Sequence, residues 1–158
     1  LLAHRVSGYF DGDLSEKRIA VWGLAFKANT DDVREAPSHI IIQKLVEEGA
    51  DVVAYDPEAI ETTRAELGDR ISYADDEYEV LEGADALVIC TEWHEFRRPD
   101  FEHMKELLDR PVIFDGRNLY EIDKMADQGF DYFSIGRPYC FRERDWSAVS
   151  SSSMESSP

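Results

Sequence analysis

The sequence predicts an α/β domain built on a doubly wound parallel sheet. Two observations carry that prediction: short apolar runs without polar alternation, and helical patterns that separate them. The clearest runs are Ile19-Ala20-Val21-Trp22-Gly23, Asp51-Val52-Val53-Ala54-Tyr55, Ala86-Leu87-Val88-Ile89-Cys90 and Pro111-Val112-Ile113-Phe114. All are short and, taken together, mostly β-branched or aromatic, which suits strands buried on both faces. Ile71-Ser72-Tyr73 and Tyr132-Phe133-Ser134-Ile135 are weaker strand candidates.

Between the runs, Ile41, Ile42, Leu45 and Val46 recur at helical spacing, with Gly49 placed to end that helix. Further helices are expected over 59–67, 77–82, 101–108 and 121–128, the last stopped by Gly129. Strand and helix therefore alternate, and the expected fold is Rossmann-like: about five to six parallel strands in the order 3-2-1-4-5 with a sixth at the edge, and helices on both faces. The domain should cover residues 17–140. Residues 1–16 read as the end of an amphipathic helix plus a linker, its beginning outside this chain. Residues 141–158 read as a tail whose serine run buries too little apolar surface to fold.

At 158 residues with 43% hydrophobic content, the chain suits one core rather than two. No run approaches the roughly 18 to 20 apolar residues of a membrane-spanning helix, and Leu1 to Phe10 does not resemble a signal peptide, so the expected compartment is the cytoplasm. A net charge of −17 opposes binding to nucleic acid or to anionic membrane. It fits either a salty cytosol or ordinary solubility. The two cysteines, Cys90 and Cys140, suggest neither a disulfide framework nor a paired-Cys metal site.

In a sheet of this order, ligands bind beyond the C-terminal strand ends where the winding reverses. Three unusual segments fall there: 23–35 after the first strand, Thr91-Glu92-Trp93-His94-Glu95-Phe96 after the fourth, and Asp115-Gly116-Arg117-Asn118 after the fifth. The first is about twice the usual roughly 2 to 6 residues of such loops. Lys27 offers a mobile point charge for a phosphate, and Arg34 and Arg117 offer planar forks. The competing reading is that Lys27 and Arg34 merely pair with Asp31, Asp32 or Glu35. Gly116 is expected to let a ligand approach the backbone. No Gly-x-Gly-x-x-Gly fingerprint is present, so Asp56 reads as a helix N-cap followed by Pro57 rather than a ribose ligand. Trp93 either stacks on a ring or covers the sheet end, packing being favoured; His94 is expected at the surface, and Cys90 as a small buried hydrophobe.

The stretch Gly23-Leu24-Ala25-Phe26-Lys27-Ala28-Asn29-Thr30-Asp31-Asp32-Val33-Arg34-Glu35-Ala36-Pro37-Ser38 resembles the hallmark of the UDP-glucose/GDP-mannose dehydrogenase family. Ala54-Tyr55-Asp56-Pro57, the Thr91–Phe96 segment, Phe114-Asp115-Gly116-Arg117-Asn118 and Ser134-Ile135-Gly136-Arg137-Pro138 resemble its later motifs in order. One departure is Ala28, where the family often has Pro. The resemblance implies part of an NAD-dependent oxidoreductase that converts the C6 hydroxyl of a nucleotide sugar to a carboxylate through a covalent cysteine intermediate. It also implies that Phe26, Lys27 and Arg117 contact the UDP-sugar, that Arg34 reaches NAD held by a separate N-terminal domain, and that the whole enzyme is a dimer. Neither the dinucleotide fingerprint nor the family's Gly-Gly-x-Cys segment occurs here, so this chain is expected to be catalytically silent. Thr91-Glu92-Trp93 resembles the UDP-glucose branch, with GDP-mannose or another hexose as the alternative. A receiver-type signalling domain and a stand-alone NAD-binding module are the rival readings.

Overall fold

The computed structural model describes residues 2–34 and 36–141, so the expectation for the tail beyond Phe141 lies outside the described residues. The chain runs α1 (Leu2–Tyr9), β1 (Arg18–Trp22), α2 (Pro37–Glu47), β2 (Asp51–Tyr55), α3 (Ile60–Leu67), β3 (Ser72–Tyr73), β4 (Ala86–Ile89), α4 (Phe101–Leu107), β5 (Val112–Asp115), α5 (Ile122–Asp127) and β6 (Asp131–Ser134). The six strands lie in the order β3-β2-β1-β4-β5-β6. Every pairing between them is parallel. The winding therefore reverses between β1 and β4, as the sequence predicts.

Side chains of β1 alternate between two cores. Ile19 and Val21 join Leu2, Val6, Ile42, Leu45 and Leu67 on the face covered by α1, α2 and α3. Ala20 and Trp22 join Leu81, Phe96, Met104, Met125 and Phe130 on the face covered by α4 and α5. Burial on both sides explains the unbroken apolar strand runs. Helix α2 opens with Pro37, whose missing N–H costs nothing in the first turn. It closes in a Schellman motif, with the Gly49 and Ala50 amides donating to the Val46 and Leu45 carbonyls at 3.0 Å and 3.0 Å. Asp100 caps α4 by accepting from the His103 amide.

Two expectations about local structure fail. Residues 77–82 form only a single 3-10 turn, Glu79–Leu81, because Gly83, with φ +70°, turns the chain into β4. Asp56 is not the N-cap of α3, which starts at Ile60 after Ala59. Its carboxylate points instead into the core beneath the first loop.

The sheet edges are short or covered. β3 has two residues, and the outer side of β6 is met by Cys140, which exchanges two backbone hydrogen bonds with Tyr132. No helix among the described residues is long and apolar enough to cross a membrane.

Gly23 marks where the chain leaves β1. It has φ +98°, and a Cβ there would lie 2.5 Å from Thr91 Cβ. Gly23→Ala is therefore expected to destabilise the fold by about 2 kcal/mol or more, combining left-handed strain with overpacking. Urea-unfolding midpoints check this; an unchanged midpoint would mean that the β1 and β4 loops separate freely.

Candidate functional site

The loops at the C-terminal strand ends are fixed from beneath by two buried carboxylates. Asp56, 2% exposed, follows β2. Its Oδ2 accepts from the Leu24 amide at 2.7 Å, the Ala25 amide at 3.1 Å and Trp93 Nε1 at 3.1 Å. Its Oδ1 accepts from the Glu58 and Ala59 amides at 2.7 Å and 2.8 Å. One side chain thus joins the loop after β1, the turn after β2 and the segment after β4. With both oxygens engaged, Asp56 has no capacity left for a ribose hydroxyl, and the residues here do not fit an NAD site of the dinucleotide-fold kind. Trp93 is correspondingly packed, 7% exposed, rather than open for stacking.

Asp115 does the same at the end of β5. Fully buried, it accepts from the Arg117 amide through Oδ1 at 2.8 Å, and from the Leu119 amide and the Tyr132 hydroxyl through Oδ2 at 2.7 Å and 2.6 Å. Arg137 closes this network by donating to Tyr132 Oη, the Tyr120 carbonyl and Ser134 Oγ. Burial, then the Asp115 charge, pushes the Tyr132 phenol well above its ordinary pKa. Gly116 donates to the Ile89 carbonyl at 2.9 Å, and the room a Cβ would need there is taken by that oxygen and by Leu2 Cδ2. The protein's own packing, rather than an approaching ligand, accounts for this glycine.

The loops after β1, β4 and β5 are laced together. Thr91 Oγ1 donates to the Ala25 carbonyl at 3.0 Å, and its neighbour Glu92 forms an ion pair with Arg117 at 2.9 Å. Phe26, 50% exposed, and Lys27 follow directly on Ala25. Lys27 is exposed and makes no ion pair with any described residue. Arg34 behaves otherwise: its Nε and Nη2 bind Asp32 at 3.0 Å and 2.9 Å on the open surface, with its side chain 85% exposed. Those hydrogen bonds hold the Asp32 carboxyl down to about 2. Local pairing thus holds for Arg34 and, among the described residues, not for Lys27; the alternative partner Glu35 lies outside them. His94 is exposed. Cys90 is buried, and desolvation pushes its thiol up to about 12, leaving no thiolate to attack a substrate.

A third cluster lies where Tyr55 leaves β2. Its hydroxyl donates to Glu95 Oε2 at 3.0 Å, while Trp22 Nε1 donates to the Glu77 carbonyl. Glu77 Oε2 is shielded and has no hydrogen-bond partner. Desolvation, then the Glu95 and Asp76 charges, raises the Glu77 carboxyl to about 7. Sequence reading missed this cluster, as it missed Asp56, Asp115 and Glu92 as organisers, because their partners are distant along the chain.

Fold and rim together define a Rossmann-like domain of the doubly wound class, with its polar side chains gathered at the switch point. The chain belongs to the UDP-glucose/GDP-mannose dehydrogenase family, whose UDP binding domain matches residues 20–122. It is 45% identical over 137 residues to a UDP-glucose 6-dehydrogenase of Rhizobium meliloti, covering 87% of this chain and 31% of that protein. It is 46% identical over 127 residues to UDP-glucose 6-dehydrogenase TuaD of Bacillus subtilis, covering 80% and 28%. Among solved structures, a UDP-glucose dehydrogenase from Pyrobaculum islandicum superposes with a TM-score of 0.69 at 33% identity, covering 84% of this chain and 28% of that one. An NDP-N-acetyl-D-galactosaminuronic acid dehydrogenase from Methanosarcina mazei superposes at 0.73 with 28% identity, covering 86% and 28%. The chain thus spans less than a third of the length of these relatives. Family membership excludes the receiver-domain reading.

Asp56→Ala leaves buried amides without an acceptor, and a loss of about 3 kcal/mol or more in urea-derived unfolding free energy is expected. A loss below about 1 kcal/mol would mean that water replaces the carboxylate. Glu77 gives a pH signature. Its folded pKa lies above the ordinary 4.5, so the folded state holds the proton more tightly, and stability falls as pH rises from 4.5 through about 7. Glu77→Gln should therefore stabilise the protein at pH 8 more than at pH 4.5 by thermal melting, and a pH-independent difference would refute the assignment.

Proposed function

We propose that this chain is the nucleotide-sugar-binding domain of a UDP-glucose 6-dehydrogenase, an oxidoreductase that converts UDP-glucose to UDP-glucuronate with two NAD+ in the cytoplasm. One observation carries the reading: Lys27 and Arg117, far apart in sequence, lie on loops tied to each other through Ala25, Thr91 and Glu92. Among the described residues, Lys27 is open and unpaired, and Arg117 presents a fork with only one nitrogen engaged. In a chain of 34 acidic and 17 basic residues, such cations at the switch point suit an anionic diphosphate.

In this reading Phe26 and Lys27 contact the UDP moiety, and Arg117 holds the nucleotide sugar from the opposite loop. Arg34, exposed on the surface, reaches NAD bound mainly by the N-terminal domain of the whole enzyme. The chemistry, with its cysteine nucleophile, belongs to that other part, and the assembled enzyme is a homo-oligomer. This domain contributes affinity and orientation, aligning the C6 carbon for hydride transfer.

Calorimetric titration of UDP, GDP and NAD into the chain tests the reading. Weak binding of UDP, weaker binding of GDP and little binding of NAD are expected. Lys27→Ala and Arg117→Ala should each weaken UDP binding by about tenfold, as for a lost charge-assisted hydrogen bond. A clear preference for GDP would reassign the substrate, and unchanged affinities in both variants would remove these residues from the site.

A further inference from the structure

We infer that Glu92 is a positioning residue: it holds the Arg117 guanidinium in a fixed place relative to the loop that carries Lys27. This rests on the reading of Arg117 as a nucleotide-sugar contact, and adds to it a residue that touches no substrate.

Arg117 is fixed at both ends. Its backbone amide is held by Asp115, whose carboxylate also accepts from the Leu119 amide and the Tyr132 hydroxyl, and the preceding Gly116 is packed against the Ile89 carbonyl. Its far end meets Glu92 Oε1 through Nη2 at 2.9 Å. That oxygen is shielded from solvent and has no aligned hydrogen-bond donor, so Arg117 is the source of its charge compensation. Glu92 in turn follows Thr91, which is fully buried, packed against Gly23 and bonded to the Ala25 carbonyl. The strut therefore runs from the loop after β1, through Glu92, to the tip of Arg117.

The other rim arginines show what this adds. Arg137 has all three of its nitrogens donating within the fold and serves as a brace. Arg34 is paired with a residue of its own loop and stands almost wholly in solvent. Arg117 alone of the three combines a counter-charge whose facing oxygen is shielded from solvent with a partly open fork, its side chain 39% exposed.

Two effects of Glu92 oppose each other. Its negative charge repels a phosphate, while its grip on Arg117 removes the rotamer entropy a ligand would otherwise have to freeze. With Arg117 present the pair is neutral and the ordering effect dominates. With Arg117 removed only repulsion is left. The effect of neutralising Glu92 should therefore reverse sign between the two backgrounds.

The test is a double-mutant cycle on the full 158-residue chain, with UDP binding followed by chemical-shift titration of isotope-labelled protein. Glu92→Gln is expected to weaken UDP binding about three- to tenfold, the scale of ordering one long side chain. In the Arg117→Ala background the same change should leave UDP affinity equal or improved. The Arg117 Nε–H signal should sharpen toward that of a freely rotating side chain in Glu92→Gln. Retained spectral dispersion shows that the variant is folded; if it is not, Glu92→Asp, which keeps the charge but shortens the reach to Arg117, enters the same cycle, with a loss of UDP affinity expected in the parent background and none in Arg117→Ala. Equal losses in both backgrounds would overturn the proposal by making Glu92 a general structural element. So would a Glu92→Gln variant that binds UDP as tightly as the parent while Arg117→Ala binds weakly, and in that case the reading of Arg117 itself survives. An Arg117→Ala variant with unchanged affinity removes both.

Discussion

The rim of this domain depends on burying a carboxylate where the chain needs an acceptor more than it needs a charge. Asp56 accepts from amides on two loops and from the Trp93 indole. Left unpaired, buried amides at these loop turns would each carry a desolvation penalty of about 1 to 3 kcal/mol. A carboxylate that satisfies several at once makes a long loop affordable after a strand whose ordinary successor is a short turn. Asp115 repeats the arrangement three strands away, with the Tyr132 hydroxyl in the place of the indole. Loops that look irregular in sequence are therefore supported by a rigid polar floor.

That floor decides which way charged side chains face at the switch point of an acidic protein. The chain carries a net charge of −17. At the switch point, the carboxylates of Asp56 and Asp115 are turned inward and consumed by backbone donors, leaving Lys27 and Arg117 on the outer side of the loops. Glu92 is an acidic group held against Arg117. Local field is thus set by which way a few side chains face, and overall composition says little about it.

The strand order was legible from apolar runs such as Ala86–Cys90 because burial on both sheet faces leaves no room for polar alternation. The same logic located the three loops, since their position follows from the winding. What was not legible is tertiary. Asp56-Pro57 carries every local mark of a helix start, yet its Oδ1 holds only a turn at Glu58 and Ala59, α3 begins at Ile60, and its Oδ2 takes three donors from two distant segments. Residues 77–82 have helical content, but with a single turn available before Gly83 no helix could propagate. Arg34 and Lys27 look equivalent in sequence, and only the fold separates the paired cation from the one that has no ion pair among the described residues. The family resemblance supplied residue roles that spacing alone could not.

The two ends of the sheet carry a different implication. A parallel sheet that finished in long bare strands would offer rows of free amides and carbonyls to any neighbouring chain. Here one margin is a strand of two residues, and the other is closed where Cys140 pairs back on Tyr132. Together with strong mutual repulsion between copies, this blunting leaves little for a second molecule to extend, so crowding at high concentration should not turn the fold into a template for its own aggregation.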